Sequence, residues 1–356
     1  MKKPTKTDIL SMNLDEMAAF MAHLNEPQYR AVQIFEWLHR RGAGLGSVQD
    51  MDNLPKSLRA ALEEHCRIAS CRLVDVRISN LDDTHKFLFA LEDDVLIESV
   101  RMKYSFGNSI CISTQAGCKM GCKFCASAEG GFIRNLTAGE MCAQVYAARQ
   151  EAEKPAGIVL MGCGEPLDNF DQTIRFLELI SHPKGAAVGG RHITVSTCGL
   201  VPQIKALADM RLQINLAISL HGPSNQIRKT LLPIANRYSI NELIDACKYY
   251  ISLTNRRITF EYALIRGIND HPDHAAALAK LLYGMLCHVN LIPVNPGAGG
   301  SSGQKSFFPT NRREAEAFAI ALERNHITAT IRRTIGSDVN AACGQLRAKA
   351  QKQIRS

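Results

Sequence analysis

Residues 109–125 read SICISTQAGCKMGCKFC. An apolar, β-prone run over 110–113 gives way to a loop holding three thiols in eight residues, Cys118, Cys122 and Cys125, with Gly117 and Gly121 letting the backbone wrap closely. Thiolates are soft ligands suited to zinc or to iron–sulfur clusters, and a structural zinc site takes four protein ligands. No fourth ligand follows at comparable spacing. Three thiolates on a four-iron cluster would leave one iron open for a substrate or cofactor, as a catalytic metal site keeps an open position. Zinc, or cysteines that serve packing alone, are the alternatives at this point.

Downstream of this loop, strand and helix patterns alternate. Strand candidates lie at 158–161, 192–196, 214–219, 257–264 and 289–294, in addition to 110–113. Amphipathic stretches such as AGEMCAQVYAARQ, DQTIRFLELI, SINELIDACKYYISL, HAAALAKLLYGM and REAEAFAIALER separate them. Six βα units in series predict an α/β fold with a parallel sheet curled into a partial (βα)6 barrel, a flat doubly wound sheet being the alternative. In such barrels ligands gather where strands end. The strand ends carry Gly162-Cys163-Gly164-Glu165-Pro166, Ser196-Thr197-Cys198-Gly199, Ser219-Leu220-His221-Gly222 and Pro293-Val294-Asn295-Pro296. Four successive breaks of small and polar residues point to one shared pocket.

Upstream, short β-rich runs with turn residues between them predict a connector over 68–108. Residues 1–67 read as a small helical unit, with Leu14, Met17, Met21 and Leu24 at helical spacing and Pro55 opening a third helix. Phe35 and Trp37 read as core, and His39, Arg40 and Arg41 as a solvated helix end or an RNA-docking face. The barrel is expected to span 109–335, with 336–356 as a C-terminal segment and basic tail.

The 356 residues are 46% apolar and 21% charged, which excludes a disordered or fibrous chain. No apolar run approaches the roughly 18–20 residues that cross a bilayer, and no signal-peptide pattern opens the chain, so a cytoplasmic location is expected. The 12 cysteines then speak for metal or catalytic chemistry. Lysine plus arginine (42) exceed aspartate plus glutamate (34), which suits a polyanionic partner without requiring one.

CxxxCxxC at the opening of a six-unit partial barrel resembles the radical S-adenosylmethionine (SAM) superfamily. The wider text, SICISTQAGCKMGCKFCASAEGGFIRNLT with IESV before it, AACGQL near the end and PQYRAVQIFEWLHRRG and NLPKSLR in the amino-terminal unit, resembles the bacterial adenine-C2 methyltransferases acting on 23S rRNA and tRNA. This resemblance implies one 4Fe-4S cluster on Cys118, Cys122 and Cys125, and two SAM molecules per turnover. One SAM methylates a cysteine of the enzyme; the second is cleaved to a radical that takes hydrogen from the S-methyl group, and the methylene radical adds to adenine. Carried over residue by residue, Cys343 bears the methyl group, Glu98 removes the C2 proton, and Cys111 releases the RNA by forming a disulfide with Cys343. SAM would meet Gly164, Glu165, Ser196, Ser219, Leu220, His221 and Asn295. Expected partners are 23S rRNA, tRNA and an electron donor such as flavodoxin, with the enzyme a monomer and no membrane involved.

From pattern alone Cys111 would be a small buried hydrophobe, Glu98 an outward strand charge and His221 a structural histidine. Two positions depart from the family pattern: Cys163 stands where methionine is usual, and Cys198 where serine is usual. Cys66, Cys71, Cys142, Cys247 and Cys287 fall in helix or strand patterns as packing residues. Candidate phosphate contacts are Arg40, Arg41, Arg312, Arg313, Arg332, Arg333 and the tail residues Arg347, Lys349, Lys352 and Arg355. Competing readings are the C8-methylating branch that confers antibiotic resistance, a non-catalytic metal-bearing RNA-binding protein, and a radical SAM enzyme acting on a small molecule.

Overall fold

Period-2 runs and amphipathic stretches become the elements they predict, with boundaries displaced by up to three residues. The computed structural model describes residues 6–41, 46–149, 154–294 and 307–332, together with positions 336, 338 and 339. Asn295, Arg333, Cys343 and the tail arginines and lysines lie outside the described residues.

The amino-terminal unit comprises β1 (Thr7–Asp8), α1 (Leu14–His23), α2 (Tyr29–Glu36), α3 (Lys56–His65) and β2 (Cys66–Arg67). Asn13 starts α1 through a reciprocal capping box with Glu16. Phe35 and Trp37 are buried as expected. His39 is not part of a solvated end: it is fully buried, with Nδ1 2.9 Å from the Tyr146 hydroxyl. Helical periodicity cannot reveal this, because the partner stands 107 residues away. Arg40, the next residue, is exposed.

The connector forms β3 (Arg72–Ile78), β4 (His85–Ala90) and β5 (Leu96–Tyr104). These strands continue the barrel sheet instead of forming a sheet of their own. A turn at Gly107, whose φ is +121°, brings β5 back antiparallel to β6 (Gly107–Cys111) with Val100 opposite Cys111. The three antiparallel strands thereby cover the edge that an open barrel would leave on β6.

Between β6 and the next helix a short hairpin, β7 (Gln115–Gly117) and β8 (Phe132–Asn135), brackets the three-thiol loop and the single turn α4 (Ala126–Glu129). The regular series follows as α5 (Ala138–Ala148), β9 (Gly157–Leu160), α6 (Phe170–Ser181), β10 (Ile193–Thr197), α7 (Val201–Asp209), β11 (Asn215–Ser219), α8 (Asn225–Leu231), α9 (Ile240–Thr254), β12 (Ile258–Leu264), α10 (Pro272–Leu282), β13 (Cys287–Pro293), α11 (Arg312–Arg324) and β14 (Ala329–Ile331). The ten-stranded sheet runs β14-β13-β12-β11-β10-β9-β6-β5-β4-β3, and every pair from β6 to β14 is parallel. This is the expected partial (βα)6 barrel. The short β14 was not expected, since three residues are too few to show a period.

Alternation along the strands divides the sheet. Ile110, Ile158, Val195, Leu216, Ile218, Phe260 and Leu291 are buried in the core beneath the helices. The intervening positions form an inner face with many polar groups, and that face carries the site.

Candidate functional site at the strand ends

Directly opposed residues of neighbouring strands share a face, so register alone places the inner residues. Lys86, Val100, Cys111 and Val159 form one cross-strand row over β4, β5, β6 and β9. One step along, Glu98 stands opposite Leu88, diagonal to both Lys86 and Cys111. Val159 faces Thr194, two residues before Ser196; Ser196 faces Ala217, two before Ser219; and Ser219 faces Glu261. Glu98, Cys111, Ser196 and Ser219, distant in sequence, thus lie on a single face.

Glu98 is not an outward strand charge. It is 5% exposed, and its Oε2 lies 3.1 Å from Nζ of Lys86, which is fully buried. The Ser113 hydroxyl donates to the Glu98 carbonyl at 2.7 Å and accepts from the Cys163 N–H at 3.0 Å. Gln144 of α5 closes this corner, accepting from the Ser113 N–H at 2.9 Å and the Ser99 hydroxyl at 3.0 Å while donating to the Ser113 carbonyl at 2.9 Å. The ends of β5, β6 and β9 are therefore held by side chains that strand patterns do not single out.

At the end of β9, Gly162 and Gly164 are required by space. A Cβ on Gly162 would stand 2.5 Å from the Ile112 carbonyl oxygen, and one on Gly164, at φ +112°, 2.7 Å from Gln115. Glu165 accepts the Leu167 N–H at 3.0 Å and the Cys198 N–H at 2.7 Å. Burial raises its pKa and these N–H donors oppose the rise. A carboxylate offers about four acceptor positions, so two backbone bonds leave capacity for an ammonium group.

His221 takes a left-handed conformation, φ +53°, and its backbone N–H donates to the Glu261 carbonyl at 3.3 Å. Its Nδ1 accepts from the Ala263 N–H at 2.9 Å, which leaves the proton of the neutral ring on Nε2. Burial, then Arg228, lowers its pKa to about 3, so the ring is neutral at physiological pH. The Phe124 ring from the three-thiol loop stands edge-on to it at 4.8 Å.

Two further features were missed by sequence reasoning. Arg228, buried on α8, donates to the Leu220 carbonyl at 3.1 Å and to the Cys198 carbonyl at 3.3 Å, joining two of the strand-end motifs. Glu261 accepts from Asn290 at 2.9 Å on the inner face, and burial raises its pKa against the influence of Arg332 and Asn290. For Glu261 a charge inside the apolar run of β12 was an available signal; the polar sequence of α8 offered none for Arg228.

Cys118, Cys122 and Cys125 are half-buried. Burial pushes the Cys118 thiol up to about 12 and the Cys122 thiol well up, and each also feels Cys125 and Glu165. Among the described residues no three histidine, cysteine or acidic side chains stand in a group able to hold a metal ion. A four-iron cluster gives each thiolate its own iron, and three soft donors on one glycine-bearing loop have the chemistry for it. Cys111, Cys163 and Cys198 are buried; the last two stand close enough to the loop to raise its thiol pKa values or be raised by them. Cys66, Cys142 and Cys247 are buried in the core, and Cys71 and Cys287 pack against it.

Residues 112–279 match the family model of the Radical SAM superfamily, and residues 7–68 match that of the Ribosomal RNA large subunit methyltransferase N-terminal domain. The chain is 50% identical over 341 residues to a probable dual-specificity RNA methyltransferase RlmN of Clostridium novyi (strain NT), a match covering 96% of this chain and 97% of that one. A protein of the same description from Lachnospira eligens is 47% identical, with 98% of each chain covered. The crystal structure of a radical SAM methyltransferase from Sphaerobacter thermophilus superposes with a TM-score of 0.89 at 42% identity, covering 95% of this chain and 98% of that one.

Proposed function

Because the chain belongs to the RlmN family of radical SAM RNA methyltransferases, we propose that it methylates C2 of an adenosine in the peptidyl transferase centre of 23S rRNA. The same site would act on the adenosine 3′ of the anticodon in tRNA. The observation that carries this reading is the alignment of Glu98, Cys111, Ser196 and Ser219 on the inner sheet face beside the three-thiol loop.

Cys118, Cys122 and Cys125 would hold the 4Fe-4S cluster that this family implies. Glu165 would meet the SAM ammonium, Gly164 would admit its amino-acid backbone, and Ser196, Ser219, Leu220, His221 and Asn295 would surround the nucleoside. When bound, cluster and SAM supply the radical chemistry that an electron-poor ring carbon requires. Cys343 carries the methyl group and stays joined to adenine C2 through a thioether until release. Glu98 takes the C2 proton, provided the carboxylate is ionised and within hydrogen-bond reach, and the unpaired electron left on the ring by addition of the methylene radical would be accepted by the oxidised 4Fe-4S cluster. The Cys111 thiolate then attacks the Cys343 sulfur: the S–S bond forms, the S–CH2 bond breaks, and its electron pair passes to the exocyclic carbon, which takes up a proton to become methyl. A flipped or unstacked adenine costs a few kcal/mol, which phosphate contacts from exposed arginines such as Arg40, Arg312 and Arg313 would offset. An electron donor such as flavodoxin would reduce the cluster in the cytoplasm, and the enzyme would act as a monomer.

The test is nucleoside mass spectrometry of 23S rRNA lacking the modification, after anaerobic incubation with cluster-loaded protein, SAM and a reductant. 2-Methyladenosine is the expected product. 8-Methyladenosine would assign the chain to the C8 branch, and no methylated adenosine in rRNA or tRNA from protein with an intact cluster would overturn the catalytic reading.

A further inference from the structure

Lys86 is a buried charge on the inner face for which the reaction above has no use. It stands immediately before the apolar residues of β4, it is fully enclosed, and its Nζ lies 3.1 Å from Glu98 Oε2. Replacing such a pair by apolar residues usually leaves a fold as stable or more so, so sheet stability does not account for it. The charged and titratable groups sharing the face nearby are Cys111 on β6 and, on β3, Arg77 and Asp75, which pair with each other at 3.5 Å. Glu98 is thus flanked by the ammonium of Lys86 on one neighbouring strand and the thiol of Cys111 on the other, with its backbone fixed by Ser113.

We propose that Lys86 is the positioning residue of the proton-transfer step, orienting the Glu98 carboxylate on the inner face and supplying its countercharge. The proposal rests on the reading of Glu98 as the base. Lys86 itself changes no bond: the C2–H bond of adenine breaks, its electron pair stays in the ring, and the proton ends on Glu98. Without the lysine the carboxylate would lie buried without this countercharge and without the contact that fixes its direction.

Two readouts on cluster-loaded, full-length protein separate this role from a structural one: S-methylation of Cys343 by peptide mass spectrometry, and covalent protein–RNA adduct on a denaturing gel. Glu98→Gln should methylate Cys343 and accumulate adduct. Lys86→Met should do the same, releasing RNA about a hundredfold more slowly, the size of a general-base contribution, and Lys86→Arg should recover most of the release rate. Lys86→Gln, which keeps a donor and drops the charge, carries the test if the methionine variant does not fold. Adduct with Glu98→Gln but wild-type release in the Lys86 variants would overturn the proposal alone. Absence of adduct in Glu98→Gln would overturn the base reading beneath it.

Discussion

Arg228 is a guanidinium with almost no exposure that donates to the backbone carbonyls of Leu220 and Cys198, and burial pushes its pKa down to about 10. Its position couples the end of β10 to the end of β11, so it acts on the loops proposed above to meet SAM without itself being one of the proposed contacts. Arg228→Met should cost roughly 2–4 kcal/mol in stability, because two buried carbonyls lose a charged donor, and should weaken SAM binding by about tenfold if the loops relax. Thermal melting and a SAM titration check the two effects separately. Gln144 and Ser113 belong to the same class of residue: polar groups that hold strand ends, and whose loss would be felt one contact away from the chemistry.

Among elements, the β7–β8 hairpin determines whether the three thiols can be presented together. Gly117 sits at φ +84°, and a Cβ there would stand 1.7 Å from the Gly131 carbonyl oxygen. Gly117→Ala should therefore open the hairpin and lower iron per chain after reconstitution by at least about half while the barrel stays folded, read by iron analysis and circular dichroism. The docking of the amino-terminal unit onto α5 includes a different kind of contact, the buried His39–Tyr146 bond. Burial, then His182, lowers the His39 pKa from 6.5 to about 3. The unfolded chain thus binds a proton near pH 6.5 that the folded chain refuses until about pH 3. Stability from this group is complete above pH 6.5 and is lost as pH falls, by up to about 1.4 kcal/mol per pH unit. His39→Gln should flatten the fall of Tm between pH 6.5 and 5 relative to wild type, with the remaining slope carrying the matching contribution of His221.

For the whole molecule, net charge and exposed arginines bear on RNA capture. With several phosphate contacts, raising salt from about 50 to 200 mM should weaken RNA affinity by at least tenfold, along a straight line of log affinity against log salt. Filter binding at fixed pH measures the slope, and a slope near zero would place recognition away from the arginines named above. Arg312 illustrates the selectivity of this test, since Glu316 already pairs with it at 2.8 Å. Its substitution should change the slope less than that of Arg313. No described helix is long and apolar enough to cross a membrane.

The sequence by itself determined the alternation of six βα units, the three-thiol loop and the glycine-rich strand ends, because each is written in local spacing that hydrophobic periodicity and ligand chemistry make legible. Strand register was legible only in part. That Glu98 and Cys111 share a face follows once β5 is paired with β6, but nothing local says that the connector joins the barrel sheet. The burial of Lys86 against Glu98, of Arg228 between two loop carbonyls and of His39 against Tyr146 was decided by tertiary structure alone. Each depends on which distant element closes over a polar group. A polar or charged side chain that becomes buried must be compensated, and only the packed fold supplies the partner.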